Sequence, residues 1–300
     1  MFALPIPILF AITIVACCVK SVFDGYFSKK VSSDDCHTWL FGLLQSVFCL
    51  VSIIGIFLVS GGLGHFSFFS LGLGLIIGAA SIFCLIATLK AFAVGPFSYT
   101  TVITSLGSVI PTLSGYFFGE SVTLVQYIGV VLMIVCLFLS PEGSKEGESK
   151  TATAKWLLLS LTASLLSGTV GVVQKIHQTS DYRDERAAML VGAFAFSIAV
   201  SAVICIRQSR KTPKSNVTSA RRRLWLIPVF TGIIFGFQHT VNLYLSGAMP
   251  AIIVFPLVNL CPMILSMVCG FIIFREKLSL KRWIGVVVGI LSSILVSGIV

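Results

Sequence analysis

Apolar residues run through this chain in long stretches, and polar residues gather in short breaks between them. Ten such stretches can be marked, at about 5–27, 38–60, 67–90, 96–118, 123–140, 155–176, 187–206, 224–247, 250–274 and 280–299. Each is roughly 18–25 residues long, enough to cross about 30 Å of hydrocarbon as a helix. Only two polar breaks are long, Ser140–Ala154 and Arg207–Arg223. The others are tight turns such as Gly95-Pro96 and Met249-Pro250, where proline can open the next helix. Thr123-Leu-Val-Gln126 has the form of a capping box for the fifth span, whereas Ser279-Leu-Lys-Arg282 keeps only its cap.

The polar turn before the fifth span has a second copy before the tenth. Phe118, Glu120, Leu124, Ile128 and Gly129 recur as Phe274, Glu276, Leu280, Ile284 and Gly285, with Thr123 answered by Ser279, and both copies continue as Val-Val. A repeated turn at corresponding places in two halves predicts a duplicated unit of five spans. An odd number of spans forces the second unit to be inverted. Charge supports that. Of the 21 Lys and Arg residues, all but Lys20, Lys175, Arg183 and Arg186 sort to the loops of one side. The positive-inside rule puts that side in the cytoplasm and both termini outside.

Composition changes the picture little. Hydrophobic residues make up 56% and charged residues 11%, and mean hydropathy is +1.02, so lipid is the solvent for most of the chain. The nine cysteines show no metal-ligand spacing and read as packing residues. Met1–Pro7 has no basic region of a cleavable signal, and the first apolar run is too long for one. The basic run Arg207–Arg223 is either a patch for nucleic acid or anionic lipid or a topology anchor, and its position beside two spans favours the anchor. Asn216-Val-Thr218 matches a glycosylation sequon on the cytoplasmic side, where it stays unmodified.

The segment from Leu89-Lys-Ala-Phe-Ala-Val-Gly-Pro-Phe-Ser98 through Pro111 to Glu120 and Gly129, and its second occurrence from Pro250 through Pro262 and Glu276 to Gly285, resembles the EamA module of the drug/metabolite transporter superfamily. Two departures stand out. Arg275 replaces the usual glycine before Glu276, and Pro111 lies closer to Glu120 than Pro262 does to Glu276. The resemblance implies an all-α integral membrane protein of ten transmembrane helices in two inverted five-helix repeats. These would be residues 1–140 and 155–300, joined by a cytoplasmic linker at 141–154. It further implies a central cavity lined by the first, third, fourth, sixth, eighth and ninth helices, alternating access around it, and a bacterial cytoplasmic membrane.

Polar residues inside spans carry the functional information, because lipid makes them expensive. Lys20 and Asp24 stand four apart on the first helix. Either Lys20 faces the cavity to bind an anionic group while Asp24 sets its charge or carries a coupling proton, or the two form a self-neutralised pair with Lys20 snorkelling. Lys90 has the same choice between cavity and interface. On the eighth span Gln238 and Asn242 share a face and His239 lies between them; amides there bind a polar solute or a neighbouring helix. His239 is a proton carrier or a satisfied core residue. Asn259 on the ninth span and Tyr99, Thr100 and Thr104 on the fourth complete the expected ring. Gly72, Gly74 and Gly78, and the GxxxG pairs at Gly232 and Gly285, read as packing.

No phosphate-binding GxxxxGK[ST] loop, GxSxG or HExxH motif is present, so an enzyme or ATP-driven pump is not expected. The expected partners are a small-molecule substrate and membrane lipid, without nucleic acid, cofactor or metal, in a monomer or homodimer. The expected function is a secondary transporter, exporting a small polar metabolite such as an amino acid. A proton-coupled exporter of lipophilic cations and a non-transporting receptor or scaffold remain the alternatives.

Overall fold

The computed structural model describes residues 5–31, 35–120, 123–139, 150–209 and 223–275, with a few positions beyond. Among the described residues there is no strand. The helices are α1 (Ile6–Val31), α2 (Asp35–Val59), α3 (Phe68–Val94), α4 (Phe97–Ser105), α5 (Val109–Ser114), α6 (Leu124–Leu139), α7 (Lys150–Thr179), α8 (Arg186–Ser209), α9 (Leu226–Ala248) and α10 (Ala251–Ile273). Among the described residues, 8 spans are long and apolar enough to cross a membrane. The fifth expected span is present as the 16-residue α6. The tenth, at 280–299, falls largely outside the described residues, as do Glu276, Gly285, the Asn216 sequon and most of the 141–154 linker.

The fourth span, Phe97–Phe118, is one helical stretch whose bonding alternates between α and tighter 3-10 turns. α4 and α5 are joined by a 3-10 turn at Leu106–Ser108, and α5 runs into another at Gly115–Phe118. The side chains explain the tightening. Thr101, Thr104, Ser105, Ser108 and Thr112 all donate to carbonyls three or four residues back, competing with the helical ladder. Pro111 removes a donor as well. After the span, the backbone turns at Gly119, whose φ of 71° is left-handed and suits glycine. The capping box then forms as read: Thr123 N donates to Gln126 Oε1 at 3.0 Å and Gln126 N to Thr123 Oγ1 at 3.3 Å.

Helices pack mainly across the two halves rather than within them. α3 lies on α7 and α8, and α9 lies on α1 and α2; α4 and α5 lie on α7, and α10 lies on α1. Exchanging α1 with α7, α2 with α8, α3 with α9, and α4–α5 with α10 maps each of these contacts onto another. Small residues set two of the equivalent crossings. A Cβ on Gly74 or Gly78 of α3 would strike the backbone of Met189 or Ala193 on α8. A Cβ on Gly232 or Gly236 of α9 would strike the carbonyls of Gln45 or Cys49 on α2. Gly72 meets nothing within 4 Å, so it takes no part in the crossing. The two GxxxG pairs thus do the same work in each half, letting backbones approach where lipid offers no hydrophobic drive.

Candidate functional site

A cavity lies between the halves, with about 150 Å³ open to water. Its walls come from α1, α3, the α4–α5 span, α7, α9 and α10. These are the first, third, fourth, sixth, eighth and ninth spans. The sequence places polar side chains on those walls, and the packing turns them toward one another.

Lys20 is the cation in the wall. Its ammonium donates to Asp24 Oδ2 at 2.7 Å, with side-chain exposures of 13% and 3%, and stands 4.4 Å from the centroid of the Phe235 ring. Asp24 itself lies behind the wall. Its Oδ1 accepts from Gln45 Nε2 at 3.2 Å, and the same amide donates to Thr231 Oγ1 at 2.8 Å. Gln45 is fully buried, yet its Oε1 has no partner. Lys90 is not in the wall. It pairs with Asp35 at 2.8 Å, both side chains substantially exposed, where an ion pair contributes little.

α9 presents Phe235, Gln238, His239 and Asn242 to the cavity. Gln238 Nε2 donates to Cys17 Sγ at 3.3 Å, and the oxygens of Gln238 and Asn242 are buried without partners. His239 packs edge-on against Phe194 and Phe235 and lies 3.4 Å from Gln174 Nε2 through Nδ1. Asn259 of α10 also reaches the wall, while its Nδ2 donates to the carbonyl of Phe255 at 2.8 Å. Pro262 has no N–H to offer the carbonyl of Val258, another lining residue.

Three expected members of the ring lie elsewhere. Tyr99 is buried with its ring edge-on to Trp156, and Thr104 Oγ1 donates to the carbonyls of Thr100 and Thr101. Thr100 accepts from Trp156 Nε1 at 2.8 Å. The part of the fourth span that does reach the cavity is one to two turns further on, at Ser108 and Pro111. The sequence reading missed Gln174, which lines the wall from α7, and the hydroxyls of Ser81, Thr88 and Ser167. Gln174 stands beside Lys175 at what reads as a span end, and α7 extends past it to Thr179.

At that end of α7 lies a buried ion pair. Lys175 Nζ is 2.6 Å from Glu120 Oε1, with exposures of 8% and 11%. Glu120 also accepts from the N–H of Ala251, the first residue of α10, at 2.8 and 2.9 Å. Lys175 donates to the carbonyls of Ser246 and Met249 at 3.2 and 3.4 Å. The repeated-turn carboxylate of the first half thus caps a helix of the second. Lys175, read as a loop charge, is a structural partner inside α7. A second cluster sits nearby: Glu185 accepts from Ser67 N at 3.0 Å, from Ser67 Oγ and from Ser70 Oγ at 2.7 Å. These hydrogen bonds hold the Glu185 carboxyl below the usual carboxylate range.

Residues 154–298 match the model of the EamA-like transporter family. A solved structure titled "Crystal structure of protein" superposes with a TM-score of 0.65, covering 96% of this chain and 98% of that one. At 14% identity that likeness is one of fold. No curated protein matches the chain. This protein is therefore a multi-pass integral membrane protein whose residues 154–298 match the EamA-like transporter family, part of the drug/metabolite transporter superfamily.

Proposed function

We propose that the protein is a secondary transporter that carries a small polar metabolite, such as an amino acid or related compound, out of the cell across a bacterial cytoplasmic membrane. The solute leaves down its own gradient by alternating access, the two halves rocking around the cavity. The observation that carries this reading is the cavity wall, on which one ammonium and four amides from four helices converge. Such groups are costly in a membrane interior unless something polar uses them. Lys20 supplies a site for a carboxylate, and the unpartnered oxygens of Gln238 and Asn242 supply sites for N–H donors. A zwitterion satisfies both. Charge asymmetry between the loops supports a topology with both termini outside.

A lipophilic-cation exporter is the less favoured reading. It needs a carboxylate free to receive the cation, and Asp24 is already neutralised by Lys20. The test is a thermal-shift screen of the purified protein against amino acids, nucleosides, sugars, nucleotide sugars, organic anions and lipophilic cations, with Asn242→Ala beside wild type. A ligand at about 100 times its Kd stabilises by roughly 2.7 kcal/mol. Hits from one polar class, weakened in Asn242→Ala and followed by transport in proteoliposomes, are expected. Hits confined to lipophilic cations and indifferent to Asn242 would overturn the proposal.

A further inference from the structure

We propose that Lys20, Asp24 and Gln45 form a ligand-triggered proton site, in which a solute carboxylate takes Lys20 from Asp24 and Asp24 takes up a proton in exchange. The inference rests on the transporter reading and names its substrate class: solutes bearing a carboxylate.

Position comes first. Lys20 lines the cavity, and Asp24 sits one turn along α1, almost wholly covered. A carboxylate arriving in the cavity therefore meets the ammonium before anything else of opposite charge. Once it binds there, two carboxylates share one ammonium at a wall where Asp24 is almost wholly covered. An unpaired buried charge costs far more than a neutral acid, and two carboxylates sharing a site do not both stay ionised. Asp24, on the covered side, is the one that protonates. The proton comes from water in the cavity, Lys20 remains an ammonium throughout, and the net charge of the pair plus ligand carboxylate returns to zero.

Gln45 shows that the site is built for both states. With Asp24 ionised, the amide spends its two N–H groups on Asp24 Oδ1 and Thr231 Oγ1 and leaves Oε1 orphaned. A neutral Asp24 is instead a donor. Rotating the amide about its last torsion, a broad two-fold one, turns Oε1 toward that new O–H. The orphaned oxygen is then the acceptor that protonated Asp24 requires. A side chain that only neutralised Lys20 would have no use for it.

The neighbouring titratable groups offer no substitute for Asp24. Those acting on Lys20 are Cys17 on α1, Cys49 on α2, Cys84 on α3 and His239 on α9. Cys269 of α10 meets Cys18 on another side of α1. Asp24 is the carboxylate acting on Lys20 among the described residues. Linkage is reciprocal, so proton and carboxylate favour each other's binding and travel together. Outward movement of such a solute carries a proton with it.

The test uses the full chain in lipid. L-alanine, L-phenylalanine and L-lactate are each run beside their carboxamides, which keep the shape and remove the charge. Calorimetric titrations of wild type in buffers of different ionisation enthalpy are expected to report uptake of about one proton per carboxylate bound and none for the amides. Infrared difference spectra are expected to show a protonated-carboxyl band on carboxylate binding that is missing in Asp24→Asn. Gln45→Leu, which retains Asp24, is expected to weaken carboxylate binding without removing the requirement for charge. Carboxylate binding with no proton uptake in wild type, or a band that persists in Asp24→Asn, overturns the proposal. So does transport of a solute without a carboxylate while all three carboxylates fail to bind, and in that case the transporter reading stands. Failure of wild type to transport any solute of the wider screen overturns the transporter reading itself.

Discussion

Glu120, at the turn that ends the fourth span, and Lys175, near the end of α7, meet at 2.6 Å and fasten the first half of the protein to the second. The carboxylate caps α10 through Ala251 N, and the ammonium closes the last carbonyls around α9. Both charges are nearly buried, so each depends on the other. Glu120→Gln or Lys175→Met alone is expected to destabilise by about 3–5 kcal/mol, since either leaves one buried charge unpaired. The double variant is expected to recover part of that loss. Thermal unfolding of the three variants in lipid nanodiscs checks the cycle; additive losses would mean that the two charges do not support each other.

The glycine crossings should respond by position rather than by composition. Gly78→Ala and Gly236→Ala each drive a Cβ into backbone of the facing helix and are expected to cost about 1–3 kcal/mol, as overpacking does. Gly72→Ala, with open space around it, is the control and is expected to be neutral or slightly stabilising. Unfolding temperatures of all three, measured together, are the readout, and equal temperatures for Gly72→Ala, Gly78→Ala and Gly236→Ala would mean that neither crossing depends on its glycines.

Transport should depend on the amide face of α9. Asn242→Ala and Gln238→Ala shorten two cavity-lining amides whose buried oxygens have no partner, and are expected to lower solute uptake roughly tenfold each, the equivalent of one hydrogen bond to a charged group. Membrane insertion and thermal stability should be unchanged. Proteoliposome uptake, normalised to protein reconstituted, is the readout, and wild-type rates in both variants would remove α9 from the site.

The Glu185 cluster carries a pH dependence of known sign. Its folded-state carboxyl titrates below the unfolded range because Ser67 and Ser70 donate to it. The contribution is therefore present above the ordinary carboxylate range and is lost as pH falls through the folded value. Wild type is expected to unfold at a higher temperature than Ser70→Ala at neutral pH, and the gap should close as pH drops through the carboxylate range. A gap independent of pH would assign the serine a packing role only.

The spans were legible because hydrophobic thickness sets a length that apolar runs announce without reference to tertiary contacts, and eight of them stand as membrane-length helices among the described residues. Thr123 and Gln126 were legible for the same local reason: a capping box is complete within four residues. Lys20, Gln238, His239, Asn242 and Asn259 stood out as polar groups in apolar runs, and all five line the cavity. Tyr99 and Thr104 stood out equally but do not line it. A threonine can satisfy its hydroxyl on its own helix, so its presence in a span says little about where it points. Gln174 was invisible because the charge beside it marks a loop when read alone.

Length and periodicity thus determine by themselves that the chain crosses a membrane many times, since that is a property of successive residues against a slab of fixed thickness. What the tertiary structure alone decided is which polar residues share a space. Glu120 meets Lys175 across 55 positions of sequence, and Gln45 meets Thr231 across 186. Such pairings come from helices exchanged between halves, where glycine spacing lets backbones close and buried charges accept only partners that geometry brings within hydrogen-bond reach.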